Sequence, residues 1–335
     1  MKTVALRAGV SSATVSRVIN ASPLVAPETA EHVRKIIADL GFIPNLSATA
    51  LKSGRSNTYG LIIPDMGNPF FPEFLLDFEQ VLVENDHEIL LATTQSSEEK
   101  LSHSVRRMLF RRVDGVVLMA SEFDTREIEP ILDHRIPIVT IDRRHSEPGC
   151  GDVSIDFEDG YRQAVLHLKE LGHQAIGFIG GIAGLTTSRI RLDAFQQALR
   201  NAQLRFRANL VRAGDYRVGG GDAAMRSLLR EKIHPTAVLT VNDLTAFGAL
   251  RALQAAGIGV PSRISVVGFD GILLGDAVQP PLTTISVSRR LMATRCLQAL
   301  AKLKDDISKR GALFSVPVSL VVGQSSGPAP ATKRR

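Results

Sequence analysis

The sequence predicts an α/β protein in two unequal parts: a short N-terminal helical module and a larger body of parallel sheets covered by helices. Three observations carry this reading. Within the first 45 residues, apolar positions recur at helical spacing and are punctuated by Gly and Pro. From residue 58 onward, strand-length apolar runs alternate with helical stripes, as parallel sheets with crossover helices require. The charge is also uneven. The 335 residues carry +6 overall. Lys2, Arg7, Arg17, Arg34, Lys35, Lys52 and Arg55, against Glu28, Glu31 and Asp39, give the first 57 residues +4, and Lys333, Arg334 and Arg335 end the chain with +3. A basic module on a nearly neutral body fits a polyanion-binding unit attached to something else.

Composition narrows the classes. At 44% apolar and 22% charged residues, the chain is globular rather than disordered or collagen-like. Its apolar runs, such as Gly115–Ala120, fall far short of the roughly 18 residues of a membrane span. No apolar export segment follows the N-terminus, so a cytoplasmic protein is expected. Cys150 and Cys296 are too few for a disulfide framework and have no metal-ligand spacing, so neither metal nor cofactor is expected.

In the first part, Lys2–Ala8 forms a short helix that ends at Gly9, since glycine takes a left-handed turn without strain. Ala5 is small enough to let two helices cross closely. Ser11 stands where it can cap a second helix, with Val15, Val18 and Ile19 inward and Ala13, Ser16, Arg17 and Asn20 on the polar face. This is a helix-turn-helix pattern. A third helix opens at Pro27, places Glu28 and Glu31 near its positive end, and buries Val33, Ile36, Ile37 and Leu40 before Gly41 and Pro44 stop it.

In the body, strands are predicted at Tyr59–Ile63, Ile89–Ala92, Gly115–Met119, Ile136–Ile141, Ala175–Ile179, Ala237–Val241 and Ile264–Phe269. The restart near Ala175 suggests two similar halves. The expected division is a headpiece at 1–45, a hinge at 46–57, the body at 58–323, and a disordered Ser-, Pro- and Ala-rich tail at 324–335. In open α/β sheets, ligands bind beyond the carboxyl ends of the strands. The residues there are Asn68, Phe70 and Phe71, then Asp142 and Arg143, then Arg191, Tyr216, Asn242 and Asp270. Asp243 reads as a helix N-cap. Aromatic faces and in-plane hydrogen-bonding groups suit a sugar ring. Two arginines leave a sugar acid or sugar phosphate open.

Ala5–Gly9–Val10–Ser11, then Ala13-Thr14-Val15-Ser16-Arg17-Val18-Ile19-Asn20, Val25 to Thr29, and Leu40 to Asn45 resemble the headpiece of the lactose/galactose repressor family. The resemblance continues through Ala48–Ser56 and on to about residue 323. It implies a helix-turn-helix headpiece on a two-subdomain, periplasmic-binding-protein-like core. It further implies a transcriptional repressor, acting as a homodimer on a pseudo-palindromic operator and answering to a small carbohydrate. In that pattern Ser12, Ala13 and Arg17 read bases, while Thr14, Ser16, Asn20 and Asn45 contact the DNA backbone. Leu51 is the minor-groove wedge, with Lys52 beside it. Thr14 and Asn45 could equally cap their own elements, and Leu51 could pack as a linker residue. Thr49 departs from the family's usual Arg, and the chain begins a few residues late against the pattern. The effector set is similar to that of ribose-binding proteins. A free-standing sugar receptor and an enzyme are the competing classes. Gly180-Gly181 and Gly219–Gly221 lack the Lys-Ser/Thr of a phosphate-binding loop, and no nucleophile–base pair stands out.

Overall fold

The computed structural model describes residues 1–19, 22–42, 56–119, 125–232 and 234–331, in two units, Met1–Ser56 and Asn57–Arg335. In the first unit, α1 (Lys2–Ala8), α2 (Ser12–Ile19) and α3 (Pro27–Asp39) enclose a small core of Val4, Ala5, Ala8, Val15, Val18, Ala30 and Val33. Gly9 sits at φ 64°, and Val10 N–H donates back to Ala5 O at 3.1 Å, which turns the chain from α1 into α2. Ser11 Oγ accepts the Thr14 N–H at 3.1 Å, so it caps α2 as the sequence suggests. Gly41, at φ 54°, follows the end of α3.

The second unit has two lobes, each a six-stranded sheet. The first sheet comprises β1 (Thr58–Ile63), β2 (Glu88–Thr93), β3 (Gly115–Leu118), β4 (Ile138–Ile141), β5 (Cys150–Ile155) and β11 (Leu313–Val316) in the order β11-β5-β4-β3-β1-β2, all parallel. The second comprises β6 (Ile176–Ile179), β7 (Val211–Arg212), β8 (Ala237–Thr240), β9 (Ser265–Asp270), β10 (Thr283–Val287) and β12 (Val318–Val321) in the order β12-β10-β9-β8-β6-β7. Here the edge strand β12 runs antiparallel to β10 in an otherwise parallel sheet. Mixed sheets of this kind commonly carry an antiparallel edge strand.

Helices α4 (Phe70–Val83), α5 (Glu98–Arg111), α6 (Glu129–Asp133) and α11 (Arg289–Asp305) cover the first lobe. Helices α7 (Phe157–Glu170), α8 (Thr186–Asn201), α9 (Val218–Leu228) and α10 (Asp243–Ala255) cover the second. The chain therefore changes lobe three times: between β5 and α7, between β10 and α11, and at Pro317 between β11 and β12. One apolar core runs through both lobes, from Tyr59 and Phe74 to Phe178, Phe269 and Val318.

Of the glycines noted above, Gly180 and Gly181 lie in the loop after β6, whereas the second run is helical. Gly219, Gly220 and Gly221 lie in the first turns of α9, and α9 lies close against α10. A Cβ on Gly221 would strike Thr245 O, and one on Gly248 would strike Val218 O.

The tail also departs from expectation. Ser325 is buried: its Oγ accepts Thr283 N–H at 2.8 Å and donates to Val266 O at 2.6 Å. His167 Nε2 meets Ser326 Oγ at 2.9 Å, His173 Nε2 meets Gly327 O at 3.0 Å, and Ala329 N–H donates to Leu171 O at 2.8 Å. Residues 324–329 are thus docked rather than disordered. Main-chain and hydroxyl bonds hold them, and apolar composition does not report those. Residues 332–335 and the hinge positions 46–55 lie outside the described residues.

Candidate functional site

The basic headpiece presents one polar helix face. Val15 and Val18 turn inward on α2, leaving Ser12, Ala13 and Arg17 exposed and Thr14 and Ser16 half-buried. Thr14 Oγ1 pairs with Ser11 Oγ at 2.9 Å, so that hydroxyl is already engaged locally. Arg17 is the long hydrogen-bond donor of the described part of this face. Asn20, Asn45, Leu51 and Lys52 lie outside the described residues.

In the second unit, a cavity of about 620 Å³ opens between the lobes, within the usual range for small-molecule sites. Both sheets reverse strand order where β1 lies between β2 and β3, and where β6 lies between β7 and β8. The cavity lies beyond these strand ends, as crevices at topological switch points do. From the first lobe, Asp65, Asn68, Phe70 and Phe71 follow β1, and Met119 follows β3. From the second, Arg191 stands on α8, Tyr216 and Arg217 follow β7, Asn242 follows β8 and Asp270 ends β9. Seven of the nine sequence candidates therefore line one cavity.

Asp142 and Arg143 are not among its lining residues. Asp142 Oδ1 accepts the Ile155 N–H at 2.7 Å, just where β5 leaves for the other lobe. The Arg143 N–H donates to Asp152 Oδ1 at 3.0 Å, and Asp152 is itself buried. These bonds fold the turn after β4 back on the sheet. Asp142 consequently stands at the crossing between lobes, near the charge of Arg191.

Asn242, and not Asp243, caps α10, and it still lines the cavity. Asn242 Oδ1 caps α10 by accepting Thr245 N–H at 2.9 Å and Thr245 Oγ1–H at 2.6 Å, while Nδ2 donates to Tyr216 O at 3.0 Å. One Nδ2 hydrogen remains for other use. Asp243 instead accepts Ile272 N–H at 2.9 Å and Thr284 Oγ1–H at 2.5 Å.

The remaining side chains are held rigidly. Arg191 Nη1 donates to Val241 O at 2.6 Å, and its guanidinium lies over Phe157 at 4.2 Å and Phe269 at 5.0 Å from the ring centroids. Its buried Nε has no hydrogen-bond partner among the described residues. Tyr216 OH meets Ser188 Oγ at 2.8 Å. Asn68 Oδ1 accepts Phe70 N–H at 3.0 Å, and its side chain also bonds Asp270 across the cleft. Asp142, Tyr216 and Asp270 all have positive φ, at 60°, 63° and 118°. Such backbone is uncommon outside glycine and tends to cluster at binding sites.

Burial pushes the Asp142 and Asp270 carboxyls up to about 7 each, although the Arg191 cation opposes the shift in both. Asp65, Glu98, Asp215 and Asp270 face Arg191 and Arg217 in the lining, and Arg217 Nη2 pairs with Asp65 at 3.1 Å across the mouth. Sequence reasoning missed Asp65, Asp215 and Arg217. The last two follow β7, a two-residue strand with no period to detect. The described residues hold no cluster of metal-ligating side chains, and no helix is long and apolar enough to cross a membrane.

Residues 1–45 match the bacterial regulatory proteins of the lacI family, and residues 165–326 match the periplasmic binding protein-like domain. The HTH-type transcriptional repressor PurR of Actinobacillus pleuropneumoniae serotype 5b is 35% identical over 301 residues, covering 90% of this chain and 89% of its own. The Lac repressor dimer bound to operator and the anti-inducer ONPF superposes with a TM-score of 0.84 at 29% identity, covering 97% of this chain and 98% of that one. A LacI family regulator from Enterococcus faecium with bound ribose gives 0.72 at 27% identity, covering 81% and 99%. With the helix-turn-helix headpiece and the two-lobed core in place, the chain belongs to the lacI family: it is a DNA-binding transcriptional repressor, not an enzyme.

Proposed function

We propose that a small neutral carbohydrate, of the ribose type, occupies the cleft and alters the affinity of a homodimer for a pseudo-palindromic operator in the cytoplasm. One observation carries the ligand class: the cavity joins aromatic faces, Phe70, Phe71 and Tyr216, to an acidic majority of charged groups. Sugar hydroxyls donate well to carboxylates, whereas an anionic ligand would meet Asp65, Glu98, Asp215 and Asp270. The bound ribose of the Enterococcus faecium relative supports the same class. A sugar acid or sugar phosphate is the second reading, favoured by the unpartnered Nε of Arg191.

On the headpiece, Ser12, Ala13 and Arg17 read base edges. Arg17 suits the bidentate contact to guanine O6 and N7, and Thr14 and Ser16 position the helix on the backbone. Asn20 and Asn45 of the headpiece complete the proposed backbone contacts, and Leu51 and Lys52 add those of the hinge. Effector and operator favour different arrangements of the protein, so each changes the other's affinity by the same factor.

Thermal-shift profiles of the purified protein against pentoses, hexoses, sugar acids and sugar phosphates test the ligand class. A ligand that binds only the folded form adds about 2.7 kcal/mol at 100 times its dissociation constant. A shift with D-ribose or another neutral sugar is the expected result. A shift with acids or phosphates alone overturns the neutral-sugar reading.

A further inference from the structure

Beside the cavity, the two lobes meet again through a pair of charged groups that are not among its lining residues. Glu73 stands early in α4, just past Phe70 and Phe71, with its side chain 15% exposed. Its Oε1 accepts the main-chain N–H of Leu273 at 3.0 Å, and its Oε2 lies 3.0 Å from Arg289 Nη2. Arg289, 14% exposed, opens α11. Its Nη1 donates to Gly271 O at 3.0 Å and approaches Asp270 O at 3.5 Å. Both α4 and α11 belong to the first lobe, whereas residues 270–273 continue β9 of the second. One lobe thus grips the main chain of the segment on which the other lobe carries Asp270.

The grip has the properties of a closure device. It addresses main-chain N–H and C=O groups, so it forms whatever the cavity holds. Its ion pair is largely sheltered from water, where such pairs are less screened than at the surface. The contrast is the Asp65–Arg217 pair at the mouth, whose arginine is 63% exposed and which salt and solvent weaken. The gripped backbone also includes Asp270 at φ 118°, a value uncommon outside glycine, followed by Gly271 at φ 69°, which glycine takes without strain.

We propose that Glu73 and Arg289 form the closure clasp of the cleft: they hold segment 270–273 against α4 when the lobes are shut and so set how long an effector is retained. The retention part rests on the effector reading above, whereas the clasp itself does not. Opening the lobes must break the Leu273 N–H bond to Glu73 and rehydrate a paired carboxylate. Both are positioning residues, acting through Asp270 rather than on a sugar.

Hydrogen exchange on the full-length protein without ligand tests the clasp directly. Glu73→Ala and Arg289→Gln are expected to speed exchange across 270–276 by roughly tenfold, the loss of one hydrogen bond to a charged group. Glu73→Gln keeps an oxygen for Leu273 N–H and should recover part of the protection. Exchange in α10 should stay unchanged, which separates loosening of the clasp from loss of the fold. Unchanged exchange at 270–276 in both Glu73→Ala and Arg289→Gln overturns the clasp. D-Ribose is the probe for retention. Glu73→Ala should release it roughly tenfold faster at an unchanged association rate, because such differences reside in dissociation. Fast exchange with ribose released at the wild-type rate overturns the retention part. If wild-type protein ignores ribose while both variants still exchange faster, the clasp is supported and the ribose reading fails.

Discussion

The two units place their proposed contact residues in opposite environments. On α2 of the headpiece, Ser12, Ala13 and Arg17 stand exposed above a core of small aliphatic side chains. In the larger unit, Asn242 is 2% exposed and Asp270 is 4% exposed, withdrawn beneath two lobes. A module that reads a rigid polyanion must present its donors. One that senses a small molecule must enclose it and desolvate its partners. The same difference governs robustness. The headpiece depends on a few Val and Ala residues, whereas the body shares one apolar core between both lobes.

The largest expected effect tests that asymmetry. Val33 is fully buried in α3, so Val33→Asp places an unpaired charge in the small core and costs about 4 kcal/mol or more. Calorimetry should then show the headpiece unfolded, operator binding abolished, and the melting of the body unchanged. A single joint transition that moves with the variant would erase the distinction between the units.

Arg191→Ala addresses the body alone. It should remove the sugar-induced thermal shift, up to about 2.7 kcal/mol at 100-fold excess over the dissociation constant, while operator binding persists. A full shift in the variant would break the assignment of Arg191 to the effector.

Ser325→Ala strands the buried Thr283 N–H and should lower the stability of the body by about 1–3 kcal/mol. An unaltered melting temperature would mean that water satisfies this amide. Arg17→Ala should relax base preference by about 1–3 kcal/mol at one position, read by competition between operator variants, with the body's sugar response intact.

A pH dependence tests the buried site from another side. Burial raises the Asp142 carboxyl from 3.8 to about 7 in the folded protein. Its contribution is therefore fully present below about pH 4 and lost as pH rises through 7. The melting temperature of wild type relative to Asp142→Asn should rise as pH falls from 8 to 5. A difference that is flat with pH would show that Asp142 is not held in that buried state.

Local patterns were legible in proportion to their independence from the rest of the chain. Ser11, Gly9 and the Val15–Val18 stripe establish α2 through contacts within a few residues, and they appear in the structure as read. The seven apolar strands were placed within one or two residues. By contrast β5, whose sequence includes Gly151 and Asp152, and the two-residue β7 carry no clean period. Asn242 and Asp243 each suit a helix cap, and only the position of the Thr245 N–H decides between them.

The sequence by itself determined the helix-turn-helix, the two-part α/β body and seven of the cleft's side chains. Hydrophobic period and strand-end position are properties of short segments. Tertiary structure decided what depends on residues far apart in the chain. The three lobe crossings put Asp142 at the junction rather than in the cavity. They bring Glu73 to Leu273 and Arg289. They also let buried His173, Ser265 and Thr283 bind a tail whose composition reads as disordered. A buried polar group takes whichever partner the fold brings within reach, and that choice is made by topology rather than by neighbouring sequence.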